Sequence, residues 1–261
     1  MSQPQHLQIA QGDDGIATIT ITRPKQLNAL NSEVLRELSN AAMTLAEDDT
    51  LRAVIVTGAG RAFVAGADIA AMKEMSADQA KSFGNLGHQA MNAIEQLPVP
   101  TFAAVNGFAL GGGLELALSC DLIYLSDAAK VGLPEVGLGI IPGFGGTQRL
   151  GRRIGWQQAR RLVFTGDTIS ADEALRIGLA VDVLPADNFL DEVRNVAQTI
   201  AQKGPLAVRR AKQVMRRGAD LAIGDALKAE VAAFSGLWDT DDRTEGMTAF
   251  IDKRSPDFQG S

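Results

Sequence analysis

The 261-residue chain holds one cysteine, two histidines, one tyrosine and two tryptophans. Each scarcity removes a class of chemistry. With Cys120 alone, no disulfide can form within the chain, which fits a reducing compartment. With only His6 and His88 beside that cysteine, no Cys/His cluster with metal-ligand spacing exists. His6 falls in an N-terminal stretch expected to fray. A Ser-His-Asp or Cys-His system would have to use His88, which lies mid-helix by pattern, and no Gly-x-Ser-x-Gly elbow accompanies it. No run of about 18 residues is both apolar and uncharged, so neither a spanning helix nor a membrane partner is expected. The first seven residues lack the basic and apolar regions of a secretory signal and the arginines of a transit peptide, so a cytoplasmic location is expected. A net charge of −6 gives no global pull toward nucleic acid. Gly58-x-Gly60 follows an apolar run, but Phe63 stands where a dinucleotide fingerprint needs its third glycine, and no Gly-x-x-x-x-Gly-Lys-Ser/Thr occurs.

What is present is a chain 46% hydrophobic, long enough to bury a substantial core. Alternation over 7–11 and 16–22 around Gly12-Asp-Asp-Gly15 predicts a β-hairpin. Val34, Leu35, Leu38, Ala41, Ala42 and Leu45 share one face of a helix from Ser32 to about Glu47. Buried strands are expected at 53–57, 101–105 and 121–125, with a short apolar piece near Val131 and a strand at 180–184. Helical sequence runs up to about Leu97, where Pro98-Val-Pro100 breaks it. After the glycine-rich loop 137–146, helices are expected at about 147–163, 171–178, 187–202, 205–217, 220–236 and 241–253. No repeat, low-complexity segment or flexible linker stands out. The pattern is an α/β core followed by a helical C-terminal region.

The chemistry that remains is carboxylic. Glu115 is flanked by Leu114 and Leu116, Glu135 lies in Leu133-Pro-Glu-Val, Asp68 in Gly66-Ala-Asp-Ile69, and Asp121 opens a strand. Charges in apolar settings are either paired or functional; singly, each of these reads as a satisfied ion pair. Gly111, Gly112 and Gly113 lie between a strand and a helix starting near Leu114. A helix N-terminus offers unpaired N–H groups, and glycine lets a ligand approach them, making half of an oxyanion hole. The same glycines can equally serve close packing of helix on strand. Two basic runs, Arg149, Arg152, Arg153, Arg160, Arg161 and Arg209, Arg210, Lys212, Arg216, Arg217, recur at helical spacing and read as solvated faces or subunit contacts.

Ala109-Leu-Gly-Gly-Gly-Leu-Glu-Leu-Ala117 with Cys120-Asp121 resembles the signature of the enoyl-CoA hydratase (crotonase) family. Four further blocks follow the family's order: Arg23–Leu30, Arg61–Ile69, Gly132–Leu150 and Thr244–Arg254. The resemblance covers essentially the whole chain. It implies a crotonase-like α/β spiral of repeated ββα units carrying the site in residues 1–195, with a helical C-terminal trimerisation region in 196–261. It also implies a hexamer built as a dimer of trimers. The implied substrate is an acyl-CoA thioester, with no metal and no cofactor beyond the coenzyme A of the substrate.

By motif position the resemblance places the thioester oxygen between the N–H groups of Ala67 and Gly112. It places CoA along Ala65, Ala67, Asp68, Ile69, Ala70 and Gly112. Many relatives carry lysine where Ala70 stands, so Lys73 or Lys25 is left to grip phosphate, with Phe250 and Lys253 reaching in from a neighbouring subunit. The two catalytic glutamates of the family's hydratases fall on Glu115 and Glu135, both present, whereas members that only shift double bonds often keep one or neither. The implied activity is hydration of trans-2-enoyl-CoA to 3-hydroxyacyl-CoA, as in fatty-acid β-oxidation. Enoyl-CoA isomerisation and dehydroadipyl-CoA hydration are the alternative reactions within the family, and a non-catalytic RNA- or protein-binding member that reuses the fold is the alternative to an enzyme. Phe83, Leu86, Phe144, Trp156 and Phe164 are candidates for an acyl pocket that the sequence does not place.

Overall fold

Strands β1 (Leu7–Gln11) and β2 (Ile16–Ile21) form the expected hairpin, antiparallel from Leu7↔Ile21 to Gln11↔Ala17. The structure is a computed structural model and describes residues 4–261. His6 is not frayed: its N–H donates to Glu37 and its ring meets the Glu33 carboxylate at 3.0 Å. Helix α1 (Ser32–Ala46) starts at Asn31, whose side chain accepts the Val34 N–H, and buries the predicted face.

The chain then repeats a simple motion. A long strand enters one sheet, a short strand enters a second, and a helix follows. The first turn is β3 (Ala53–Gly58), β4 (Ala62–Val64), then α2 (Ile69–Met72) and α3 (Ala77–Glu95). The second is β5 (Thr101–Val105), β6 (Phe108–Leu110) and α4 (Gly112–Leu118). The third is β7 (Leu122–Ser126), β8 (Lys130–Gly132), a 3-10 turn over Pro134–Leu138, then α5 (Gly146–Ile154) and α6 (Trp156–Thr165). The chain continues as β9 (Thr168–Ser170), α7 (Ala171–Arg176), β10 (Asp182–Leu184), α8 (Phe189–Ala201), α9 (Pro205–Gly218), α10 (Ile223–Ser235) and α11 (Asp241–Asp252). The long strands and the short β10 form one sheet in the order β1-β2-β3-β5-β7-β10, parallel from β2 onward. The other short ones lie in the order β4-β6-β8-β9, with only β9 antiparallel. This is the ββα spiral that the motifs imply.

Stacking the turns aligns the ends of β4, β6 and β8, and the loops that leave them meet at one place. The three short strands β4, β6 and β9 escape sequence reading because three residues are too few to show a period. The helix expected at 147–163 is two helices, broken at Gly155 with φ 80°. The strand expected from Ala180 shortens to Asp182–Leu184, and residue 195 lies inside α8, whose Phe189, Val193 and Ala197 are buried in a cluster with Ile16, Ile55 and Phe102.

Candidate active site

The glycine triplet answers to both readings, at different residues. A methyl group at Gly113 would overlap the Val64 carbonyl oxygen, so this glycine lets α4 press on β4. At Gly111, φ is 52° and a Cβ would come 2.8 Å from Glu135 Oε1, so this glycine gives room to a carboxylate. Gly112 begins α4, and its N–H has no acceptor among the described residues. A Cβ on Gly112 would lie 3.5 Å from the Ala67 nitrogen, so the two N–H groups are close.

Ala67 is freed by its strand register. Leu30 donates to the Gly66 carbonyl at 2.9 Å, and Asp68 donates to the Leu30 carbonyl at 2.8 Å. This parallel bridge uses the peptide groups on either side of Ala67 and leaves its own N–H without an acceptor among the described residues. Asn28, fully buried, holds the segment: its side chain donates to Ala59 O at 2.9 Å and Ala62 O at 2.8 Å and accepts the Arg23 N–H at 2.9 Å. Arg23 in turn pairs with Asp68 at 3.2 Å, and Asp68 caps α2. Asp68 is therefore a satisfied ion pair whose carboxylate holds the loop.

Glu115, in the first turn of α4, is 2% exposed. Its Oε1 accepts two N–H groups, from Phe144 and from Gly146, each at 2.7 Å. Burial pushes its carboxyl above the usual range, opposed by those N–H groups and by the Arg149 charge. Glu135, on the 3-10 turn, is 9% exposed, and its Oε2 has no hydrogen-bond partner among the described residues. Burial pushes its carboxyl up to about 7, and the Glu115 charge adds to the push. The site thus has one carboxyl tethered by N–H donors and one unpartnered, near neutrality.

Both glutamates line one cavity of about 560 Å³. Ala65, Ala67, Ile69 and Gly112 also line it, as do Phe83 and Phe144 from the aromatic candidates. Asp68 and Ala70 do not, and neither do Lys25, Phe250 and Lys253 of the same chain. Lys25 and Lys253 are exposed, and Phe250 is 85% exposed. Trp156 and Phe164 are corrected out of the pocket: the Trp156 ring lies over Gly151, and Phe164 is largely exposed. Leu86 lines a second cavity of about 560 Å³ with Ser32, Arg36 and Met75, and Phe83 borders both cavities. Among the lining residues that sequence reading missed are Met72, Leu138, Ile140 and Ile141, apolar residues of a four-residue helix, the 3-10 turn and the loop after it, with no periodicity to betray them.

Other candidate groups are accounted for away from the cavity. Asp121 accepts both the N–H and the hydroxyl of Thr101 and pairs with Lys212 at 2.7 Å. Burial raises the Cys120 thiol to about 12, so it is no nucleophile. His88 is exposed on α3. Among the described residues no cluster of three or more metal-ligating side chains comes together, and no helix is long and apolar enough to cross a membrane. The arrangement can polarise a carbonyl with two N–H groups and move protons between a substrate and two carboxyls.

Residues 11–261 match the sequence model of a family described as enoyl-CoA hydratase/isomerase. The chain is 47% identical over 247 residues to the short-chain-enoyl-CoA hydratase of Clostridium acetobutylicum, covering 94% of this chain and 95% of that protein. It is 47% identical over 251 residues to the crotonyl-CoA hydratase of Syntrophomonas wolfei, covering 96% of each. A crystal structure of enoyl-CoA hydratase from Bacillus anthracis superposes with a TM-score of 0.96 at 40% identity, covering 98% of this chain and all of that one.

Proposed function

The chain belongs to the enoyl-CoA hydratase/isomerase family and is an enoyl-CoA hydratase, and we propose that Glu115 and Glu135 are the two groups that move the protons of the reaction. The observation that carries this reading is the pairing of Glu115, tethered by two N–H donors, with an unpartnered Glu135 in one apolar cavity. The thioester carbonyl of a trans-2-enoyl-CoA sits between the N–H groups of Ala67 and Gly112. These withdraw electron density from C3 and stabilise the enolate-like transition state. Glu115, ionised, takes a proton from a water as its oxygen bonds to C3. Glu135, protonated, gives its proton to C2. The proton taken by Glu115 returns to Glu135 through solvent before the next turnover.

The acyl group is short and apolar in this reading. Two relatives are named for short-chain and crotonyl substrates, and none of the described residues lining the cavity is cationic, so an ω-carboxylate would lie unpaired. An Escherichia coli relative at 40% identity is named 2,3-dehydroadipyl-CoA hydratase; the missing cation weighs against that substrate here.

Ala65, Asp68, Ile69 and Ala70 flank the CoA moiety in this reading, and Lys25, Phe250 and Lys253 supply contacts to it, the last two from a neighbouring copy. Exposed apolar side chains along residues 196–261, including Ile223, Val231 and Phe234, support assembly into a hexamer through that region. Cytoplasmic β-oxidation fits such an enzyme.

The test is hydration across 2-enoyl-CoAs of increasing length, one of them dicarboxylic, by wild type, Glu115→Gln and Glu135→Gln. Each substitution should lower kcat by ~10²–10⁴ with crotonyl-CoA as the preferred substrate of the wild type. Near-wild-type hydration by either variant removes that glutamate from the mechanism.

A further inference from the structure

Glu115 is held by a loop, and the loop must itself be held. Its two N–H donors, Phe144 and Gly146, straddle Gly145, which has φ 113° and precedes α5 without offering a side-chain cap. Such a segment has little stiffness of its own. The contact that fixes it comes from Arg149, one turn into α5. Arg149 Nη1 donates to the Phe144 carbonyl at 3.0 Å. The rest of the guanidinium is anchored on α3: Nε and Nη2 donate to Glu95 Oε2 at 3.1 and 2.6 Å, and Nη2 reaches Asn92 Oδ1 at 2.7 Å. The Arg149 side chain is 16% exposed. Phe144 is thus gripped at both polar ends, its N–H on Glu115 and its carbonyl on Arg149.

We infer that Arg149 is a positioning residue for hydration: braced on Glu95 and Asn92, it holds the Phe144 peptide groups that aim Glu115 and keeps a positive charge behind that carboxylate. This rests on the reading of Glu115 as the base. The other titratable groups facing Glu115 are few. Glu135 faces it from the 3-10 turn, and His88 on α3 approaches Gly145. The neighbouring strands β4, β5 and β6 carry no titratable side chain. Elsewhere on α5, Arg152 turns to Asp220 and Arg153 to the carbonyls of Cys120 and Asp121. The competing view is that Arg149 and Glu95 merely tie α3 to α5.

Rate–pH profiles of the full-length enzyme on crotonyl-CoA separate these views. Arg149→Met should lower kcat by ~10–100-fold, the scale of a misplaced catalytic group, with KM within about two-fold of wild type. Its acid limb should move to higher pH, because Glu115 loses both a cation and firm N–H donors. Arg149→Lys keeps the charge and loses the fork, so its limb should return toward wild type while kcat stays lowered. Glu95→Gln keeps an acceptor oxygen to brace Arg149 but removes a negative charge from beside it, so its limb should move to lower pH. A structural tie alone would make Arg149→Met and Glu95→Gln behave alike. An unmoved limb in Arg149→Met, or an equal upward shift in both variants, overturns the inference. Should Arg149→Met fail to fold, Glu95→Gln decides: a limb that stays or rises overturns it. Near-wild-type hydration by Glu115→Gln would sink the reading of Glu115 itself. Normal loss in Glu115→Gln beside an unmoved limb in Arg149→Met would sink only the role of Arg149.

Discussion

The ring of Phe144 is seated against Gly87, so close that a methyl group at 87 would overlap it. Phe83 meets the same ring edge-on, with centroids 5.3 Å apart and planes at 70°. Because the Phe144 N–H holds Glu115, a glycine in the middle of α3 reaches the site without touching it. Gly87→Ala should displace the ring and lower kcat for crotonyl-CoA by ~10–100-fold. Wild-type kcat in that variant would show that the seat of the ring does not matter to Glu115.

The pH dependence should be bell-shaped. Hydration needs Glu135 protonated, so kcat/KM should fall as pH rises through about 7. It needs Glu115 ionised, so kcat/KM should also fall on the acid side. The two carboxyls interact, and the limbs belong to the pair. A rate still rising well above neutrality would exclude Glu135 as the proton donor.

Glu135 should also cost stability at alkaline pH. Its folded-state pKa, about 7, lies above the ordinary value of 4.5. Between those values the native state binds more protons than the unfolded state, so stability falls as pH rises through that window, and the cost is fully present above about 7. Glu135→Gln removes it. Thermal melts should show Tm raised by about 6–12 °C above neutrality, the scale of ~3 kcal/mol that a shift from 4.5 to about 7 represents in a chain of this size, and little change below the ordinary carboxyl range. An equal gain at every pH would contradict the account.

Lys212 belongs to one of the two basic runs, yet its side chain is 9% exposed and pairs with Asp121. Lys212→Met should destabilise the protein by about 1–3 kcal/mol, the cost of leaving a partly buried charge unpaired, and leave kcat on crotonyl-CoA unchanged. A loss of activity without loss of Tm would require a role for this lysine in the site.

Phe83 lines two cavities of about 560 Å³ each. Phe83→Ala should join them and raise kcat/KM for a long-chain enoyl-CoA relative to crotonyl-CoA by ~10-fold, the scale of pocket discrimination among apolar chains. Because the readout is a ratio, general damage to Phe144 cancels. An unchanged ratio would show that chain length is limited elsewhere.

Residue type and local pattern made Glu115 and Glu135 conspicuous, carboxylates in apolar runs of a sequence poor in histidine and cysteine, but left each readable as an ion pair; only the family motifs singled out the two together. Ordered motifs carried the family, and amphipathic spacing carried α1 and the buried long strands. Asp68 and Asp121 looked like the same signal and are ion-paired, because pairing partners lie far away in the chain. Trp156 and Phe164 looked like pocket aromatics and face elsewhere, because nothing local tells a helix which way to turn its ring.

Composition and motif order by themselves determined the fold class, the family and the two carboxyls, since these depend on which residues stand in which local pattern. Tertiary structure alone decided that the N–H groups of Ala67 and Gly112 come close together without acceptors among the described residues, that Glu115 is tethered while Glu135 is not, and that Phe83 lines two cavities. Each of those depends on register and burial among segments from separate turns of the spiral, and no local pattern records the distance between them.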